Sequence, residues 1–304
     1  MKPKILLIAD RPKWAYEAIA RGLIAYLSRQ YDFELKYAKD LDVINAEHDQ
    51  WDLIFSIGWK YPKREITTPR EKTISSIQSH RTLDGAETDH WVEYLDKRYC
   101  AVGVSNEKLH DTFLDRIPDL VLTPNGVDTR KFAPDYSRVP RDKMILGWVG
   151  RSSQAEFRGL DLIQTAANAE GWVLRVQDAD ASRRPPGNMP GFYNSIDCYI
   201  NASESEGCSI SVLEACSCGR PLLATMTGAA PVLVKEGETG YSIERNVSSI
   251  STALRKLSKA ECRWMGSNMR SSVLKDWDWS TQAKNYGRLI ELGLNGGAEK
   301  GGVR

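Results

Sequence analysis

The sequence predicts an α/β protein made of two doubly wound halves facing one another across a cleft. Three observations predict it. Short, nearly continuous apolar runs alternate with helical patterns along the chain, and strands that are apolar on both faces belong to parallel sheets covered by helices on both sides. The pattern restarts after a proline- and charge-bearing stretch, FAPDYSRVPRDK (132–143). A length of 304 residues, with 41% hydrophobic and 27% charged residues, allows one large domain or two ordinary ones with real cores.

The first half offers strands at ILLIAD (5–10), FELKYA (33–38), DLIFSIG (52–58), TISSIQS (73–79), CAVGVS (100–105) and LVLTP (120–124). Between the first two, WAYEAIARGLIAYLSR (14–29) sets its apolar residues at a helical period. The second half offers strands at MILGWVG (144–150), WVLRVQ (172–177), DCYINAS (197–203), PLLATM (221–226) and GYSIE (240–244). Helical patterns cover 160–170 and 209–219, and three more cover 249–259, 262–277 and 280–294. The expected division is 1–139 for the first domain, 140–275 for the second, and 276–304 for a C-terminal helix that packs back on the first domain, plus a disordered tail.

Composition excludes little but directs the search. A net charge of +1 gives no global case for nucleic acid or membrane binding. No run is apolar for long enough to span a bilayer, and the apolar run in MKPKILLIADRP is too short for a signal-peptide core. The expectation is a cytoplasmic protein, with peripheral membrane association left open. The six cysteines (100, 198, 208, 216, 218, 262) lack the paired spacing of a zinc site and read as small apolar residues.

Ligands of doubly wound sheets bind outside the carboxyl ends of the strands, so candidate residues are those that follow strand ends. Gly150 and Arg151 end MILGWVG, and Glu206-Gly207-Cys208-Ser209-Ile210 follows DCYINAS into a helix. Free amides at a helix start favour a phosphate. Arg151 and Arg158 add planar, permanently charged donor forks. Glu214, about one turn into the helix, can accept hydrogen bonds from a vicinal diol such as that of ribose. Amides and arginines for a diphosphate, with a carboxylate for ribose, describe a nucleotide-sugar site. Asp178-Ala179-Asp180 and Asp276-Trp277-Asp278 have the DxD form of some metal sites, but such triplets are frequent and no metal or other cofactor is expected.

Glu206 and Glu214 form an E-x7-E pair within SESEGCSISVLEACSCGRPLLAT. This resembles the signature of the retaining family 4 glycosyltransferases, which have the GT-B fold of two Rossmann-like domains. TPNGVDTRKFAP (123–134), GWVGRSSQAEFRGLDLI and GAAPVLVKEGETGYSIE are similar to the family's other elements in the right order, so the match runs from about Val102 to Glu244. The resemblance implies a nucleoside diphosphate sugar as donor, a UDP- or GDP-sugar, and a hydroxyl acceptor on the side of the first domain. It implies that Glu214 binds the ribose hydroxyls and that Glu206 faces the transferred sugar. Arg151 and Arg158 would hold the diphosphate. His80 would stand near donor sugar and acceptor.

The chain also departs from the family. Arg158 stands where lysine is usual, and Val232 in GAAPV lacks the usual carboxylate. Asp10-Arg11-Pro12-Lys13-Trp14 replaces the glycine-rich loop after the first strand. Acceptor-side candidates are therefore Asp10, Trp14, Lys60, Lys63 and Arg64. The last three lie in WKYPKREITTPREK (59–72), whose basic residues interleave with Trp59 and Tyr61 and suit an anionic acceptor, a nucleic acid or a lipid phosphate. Two alternatives stand beside the transferase: a non-catalytic nucleotide-sugar binding protein and a GT-B nucleotide-sugar epimerase.

Overall fold

The computed structural model describes residues 1–61, 65–79, 88–135, 137, 142–180 and 188–296. The chain divides into two compact units, Met1–Gly126 with Trp279–Arg304, and Val127–Asp278. The first begins with β1 (Lys4–Ala9), α1 (Ala15–Leu27), β2 (Asp32–Tyr37), α2 (Leu41–Ala46), β3 (Leu53–Ser56) and β4 (Thr73–Ile77). It continues with α3 (Thr88–Arg98), β5 (Ala101–Val104), α4 (Glu107–Phe113) and β6 (Leu120–Leu122). The second unit carries β7 (Ile145–Gly150), α5 (Leu160–Ala169), β8 (Val173–Asp178), α6 (Met189–Asn194), β9 (Cys198–Asn201) and α7 (Ile210–Ser217). There follow β10 (Leu222–Ala224), α8 (Ala230–Leu233), β11 (Gly240–Ser242), α9 (Val247–Arg255) and α10 (Lys259–Asp276), and finally α11 (Trp279–Leu294) in the first unit.

Each apolar run read as a strand contains one. In the first unit the strands form a parallel sheet in the order β2-β1-β3-β4-β5-β6, and in the second β11-β10-β9-β7-β8. Burial explains the near-continuous apolar runs: Ile5, Leu6, Leu7 and Ile8 of β1 are all fully buried, as a central strand with both faces covered requires. Edge strand β8 leaves Val173 and Val176 exposed. In each sheet the strand order reverses once, between β1 and β3 in the first and between β7 and β9 in the second. The carboxyl ends of those strand pairs are the crevices in which doubly wound sheets hold ligands.

The last helix belongs to the first unit because glycines make room for it. A Cβ on Gly22 would lie 2.3 Å from the Trp279 ring, and one on Gly126 would lie 2.6 Å from it. At the other end of α11, a Cβ on Gly293 would lie 2.5 Å from Ile74. The second unit starts at Val127, ahead of the 139/140 division expected from composition, and the hydrogen bonds give the reason. Val127 N donates to Trp277 O at 2.9 Å, and Thr129 Oγ1 donates to Asp278 Oδ2 at 2.6 Å. Arg270 Nη1 donates to Phe132 O at 2.9 Å, and Phe132 itself is buried in the second core. All six cysteines are buried free thiols. No helix among the described residues is long and apolar enough to cross a membrane.

Candidate active site

At the switch point of the second sheet, three loops converge. The loop after β7 ends at Gly159, the left-handed residue (φ +66°) that starts α5, where a Cβ would lie 2.9 Å from Ala202 O. The loop after β9 carries Ser203 to Ser209. The loop after β10 turns at Gly228 (φ +60°), where a Cβ would lie 2.2 Å from Gly207 O and 2.9 Å from Glu206 Cβ. Only glycine meets both the backbone angle and the close approach at these two positions.

The convergence joins Glu206 to Arg158. Arg158 Nη1 donates to Glu206 Oε1 at 3.1 Å, with side chains 24% and 13% exposed, and Arg158 Nε donates to Gln154 Oε1 at 3.3 Å. Glu206 Oε1 is also 2.9 Å from the fully buried Ser203 Oγ, itself 2.7 Å from Asn201 Oδ1. A half-screened pair held by a second hydrogen bond is more fixed than a surface ion pair. Gly150 leaves room for it, since a Cβ there would lie 2.4 Å from the Trp148 ring and 3.0 Å from Arg158 Cδ.

Arg245, beyond β11, fastens the same loops from outside, and the sequence reading missed it. Its Nη1 lies 3.0 Å from Glu204 Oε1 and its Nη2 donates to Glu156 O, while Glu204 N donates to Phe157 O at 3.1 Å.

Helix α7 starts beside Glu206. Ser209 is its N-cap, but no side chain caps the helix: the Ser209 hydroxyl pairs instead with Ser211 Oγ at 3.1 Å. The first-turn amides of Ile210 and Ser211 therefore keep donor capacity at the positive end of the helix. Gly207 and Cys208 are buried, and Ile210 is half-buried. On the same helix, Glu214 Oε2 accepts a 2.8 Å hydrogen bond from Tyr193 OH. Tyr193 is fully buried on α6 and packs edge-on against Phe132 and Tyr199. Glu214 keeps some surface, but burial of its carboxyl raises the pKa from 4.5 to about 7, against the Tyr193 hydrogen bond and the Lys131 charge, which lower it. Tyr193 was not legible as a site residue, because nothing in MPGFYN separates it from other core aromatics.

The two DxD triplets have structural duties. Asp178 Oδ1 accepts from Ser152 N at 3.0 Å and Asp180 Oδ2 from Ser153 N at 2.9 Å, which fixes the turn that begins at Arg151. The Ser153 hydrogen bonds hold the Asp180 carboxyl below the usual carboxylate range, and the Arg151 charge adds to them. Asp278 accepts from Thr129. No group of three or more His, Cys, Asp or Glu side chains suited to a metal ion occurs among the described residues.

The comparisons bear on this unit first. Residues 181–272 match the family model described as Glycosyl transferases group 1. This segment is similar to the group 1 glycosyltransferases. The D-inositol 3-phosphate glycosyltransferase of Corynebacterium jeikeium (strain K411) is 31% identical over 129 residues, 42% of this chain and 30% of that protein. The protein of the same name from Actinosynnema mirum is 23% identical over 266 residues, 70% of this chain and 64% of its own length. The chain thus spans less than two thirds of the length of these two relatives. The crystal structure of Anabaena Alr3699/HepE in complex with UDP and glucose matches with a TM-score of 0.75 at 13% identity, over 95% of this chain and 99% of that one. The architecture is GT-B.

The structure brings Gly150, Arg158, Glu206, Gly207 and the start of α7 together, and it places Arg151 at the turn fixed by Asp178 and Asp180. Val232 is exposed on α8. His80, Lys63 and Arg64 lie outside the described residues. In the first unit, Asp10 follows β1 with Arg11 Nε 3.9 Å from its Oδ2, and the Arg11 guanidinium stacks 3.7 Å over the Trp14 ring. Lys60 Nζ sits 5.0 Å from the centre of the Trp91 ring. One expectation is corrected: Trp59 and Tyr61 are not interleaved on an exposed basic lip. Trp59 is 1% exposed and packs edge-on against Trp91, and Tyr61 OH donates to Ile8 O at 2.9 Å, so both are core residues.

Proposed function

We propose that the chain is a retaining glycosyltransferase of family 4 that moves a hexose from a UDP- or GDP-sugar to a hydroxyl acceptor without a metal ion. The observation that carries the reading is the Arg158–Glu206 pair at the switch point, beside the uncapped start of the helix that bears Glu214. In this reading the nucleotide's ribose diol donates to Glu214, which Tyr193 orients. The diphosphate lies against the first-turn amides of α7, with Arg151 and Arg158 supplying positive charge.

Arg158 uses Nε and Nη1 for Gln154 and Glu206, which leaves its Nη2 group for a phosphate oxygen. The bond between the sugar's anomeric carbon and the phosphate oxygen breaks, and the acceptor oxygen bonds to the same face of that carbon. The acceptor proton passes to the leaving phosphate. Charge growing on that phosphate is what preorganised donors stabilise most. In this reading Glu206, which Arg158 and Ser203 hold, accepts hydrogen bonds from the sugar's hydroxyls. Metal independence is supported by the arginines and the helix start, and by the engagement of Asp178 and Asp180 in fixing a turn.

The test is product analysis with a panel of UDP- and GDP-sugars against hydroxyl acceptors. Transfer with retained anomeric configuration is expected. Donor binding with neither transfer nor hydrolysis would replace this reading with a binding protein, and conversion of the donor sugar without an acceptor would replace it with an epimerase.

A further inference from the structure

Two neutral polar groups, Gln78 and Ser105, are among the buried side chains of the first unit with an atom that its described residues leave without a hydrogen bond. Gln78 follows β4 and is 8% exposed, and Ser105 follows β5 and is 1% exposed. Gln78 Oε1 and Ser105 Oγ are buried with no hydrogen-bond partner among the described residues. Most buried polar groups are satisfied, and those that are not point to a function or a ligand.

The two groups stand side by side. Strands β4 and β5 are parallel neighbours with Ile77 opposite Val104, and Ser105 N continues the ladder to Ile77 O at 3.1 Å. One step earlier, Ser76 opposes Gly103. A Cβ on Gly103 would meet Thr123 Oγ1, Leu289 of α11 and Ser76 Oγ. Alternation along the strands puts Gln78 and Ser105 on this same face, one residue pair nearer the carboxyl edge of the sheet. The bond from Gln78 Nε2 to Ser76 Oγ, 2.7 Å, agrees with that placement. Asn125, two residues beyond Thr123 and 3% exposed, adds a third buried polar side chain whose Oδ1 accepts from Tyr286 OH at 3.1 Å.

Ordinary structural duties do not account for the pair. Asn106, not Ser105, caps α4, accepting from Leu109 N at 2.9 Å. The Gln78 amide nitrogen is already engaged, so its carbonyl oxygen is the open end of a chain that runs through Ser76 to Thr123, 3.3 Å further on. An acceptor oxygen next to a hydroxyl complements one kind of group well. A ligand hydroxyl can donate to Gln78 Oε1 while accepting from Ser105 Oγ–H. Both protein groups are neutral, so they suit an uncharged hydroxyl rather than a phosphate.

We propose that Gln78 and Ser105 form a hydroxyl-reading pair at the carboxyl edge of the first sheet, and that the acceptor is a polyol. The proposal rests on the transferase reading for its biological sense, but its test does not. Wild type, Gln78→Met and Ser105→Ala are titrated with myo-inositol, D-inositol 3-phosphate, glycerol and glucose by calorimetry, with and without saturating UDP. UDP-glucose and GDP-mannose binding and thermal stability are measured in parallel.

Wild type is expected to bind at least one polyol, and each variant to lose roughly tenfold or more in that affinity, because an analogue pair that strands a buried polar group discriminates strongly. Nucleotide-sugar affinity stays within about twofold. Ser105→Ala melts at the same temperature as wild type or higher, since it removes an unsatisfied buried group, whereas Gln78→Met also gives up the bond to Ser76 Oγ and is judged by affinity alone. A purely structural role would give the opposite stability result. Failure of wild type to bind any of the four polyols overturns the proposal. So does unchanged polyol affinity in both variants, whether stability rises or falls, and a fall would mark an internal water as the groups' partner. If polyols bind but no nucleotide sugar does, the pair stands and the transferase reading fails.

Discussion

Glu214→Gln separates the charge of the proposed ribose clamp from its shape. The wild-type carboxyl has an ordinary value of 4.5 and is raised by burial to about 7. A raised carboxylate pKa favours the protonated form in the folded protein, so this group's contribution to stability is full below about 4.5 and is lost as pH rises through about 7. The gap corresponds to about 3 kcal/mol of disfavoured ionisation at high pH. The glutamine side chain of the variant cannot ionise, and its amide oxygen can still accept from Tyr193. Glu214→Gln should therefore be more stable than wild type at pH 8, by up to about 3 kcal/mol, and nearly equal to it at about pH 4.5.

Ligand binding runs the other way. A ribose diol donates to the ionised carboxylate, so UDP-glucose, used as probe, should bind wild type about tenfold more weakly at pH 6 than at pH 8, with a plateau above about 7.5. The variant should bind more weakly at pH 8 and lose this dependence. Calorimetric titrations and urea unfolding at each pH supply both readouts. Wild-type affinity that is flat from pH 6 to 8, or a variant that keeps the wild-type slope, would refute the reasoning.

The other predictions follow from the loops around this helix. Arg158→Ala should lower kcat for the working donor by about 10²–10³-fold, with a smaller change in donor Kd, as expected when positive charge is removed from a developing leaving group; Arg158→Lys should recover part of that loss, and steady-state kinetics check both. Gly228→Ala meets a left-handed backbone and the Gly207 carbonyl at 2.2 Å, so it should cost about 2–4 kcal/mol in urea unfolding and weaken nucleotide binding with it. Asp178→Asn combined with Asp180→Asn should loosen the Arg151 turn and lower kcat, whereas chelation with EDTA should leave wild-type activity unchanged; activity that EDTA abolishes and magnesium or manganese restores would contradict the metal-free reading.

Much of this was readable in the sequence. All-apolar runs are strands in a doubly wound sheet because both faces must be covered, and ILLIAD or DCYINAS offers no helical alternative of adequate length. Strand ends then point to Gly150, Arg151 and Glu206 with no knowledge of distances. What could not be read depends on contacts between distant residues. Arg245 is far in sequence from Glu156 and from Glu204, and no local pattern announces that it fastens their loops. Tyr193 looks like any core aromatic until Glu214 is seen beside it. The start of the second unit moved for a similar reason: Phe132 opens the stretch read as a linker and Thr129 lies just ahead of it, yet they are bonded to Arg270 and Asp278. Helix α3 was missed because Trp91 and Leu95 alone are buried on it, too few for a periodic signal. Trp59 and Tyr61 misled because basic neighbours made a buried aromatic pair look like a surface lip.

The central claim is that the switch point of the second sheet holds a nucleotide sugar. A crystal structure with UDP-glucose or GDP-mannose bound tests it most directly. Ribose hydroxyls are expected within hydrogen-bond reach of Glu214, phosphate oxygens on the first-turn amides of α7 and on Arg158, and the sugar against Glu206. A nucleotide bound elsewhere, or one whose ribose leaves Glu214 untouched, would contradict it.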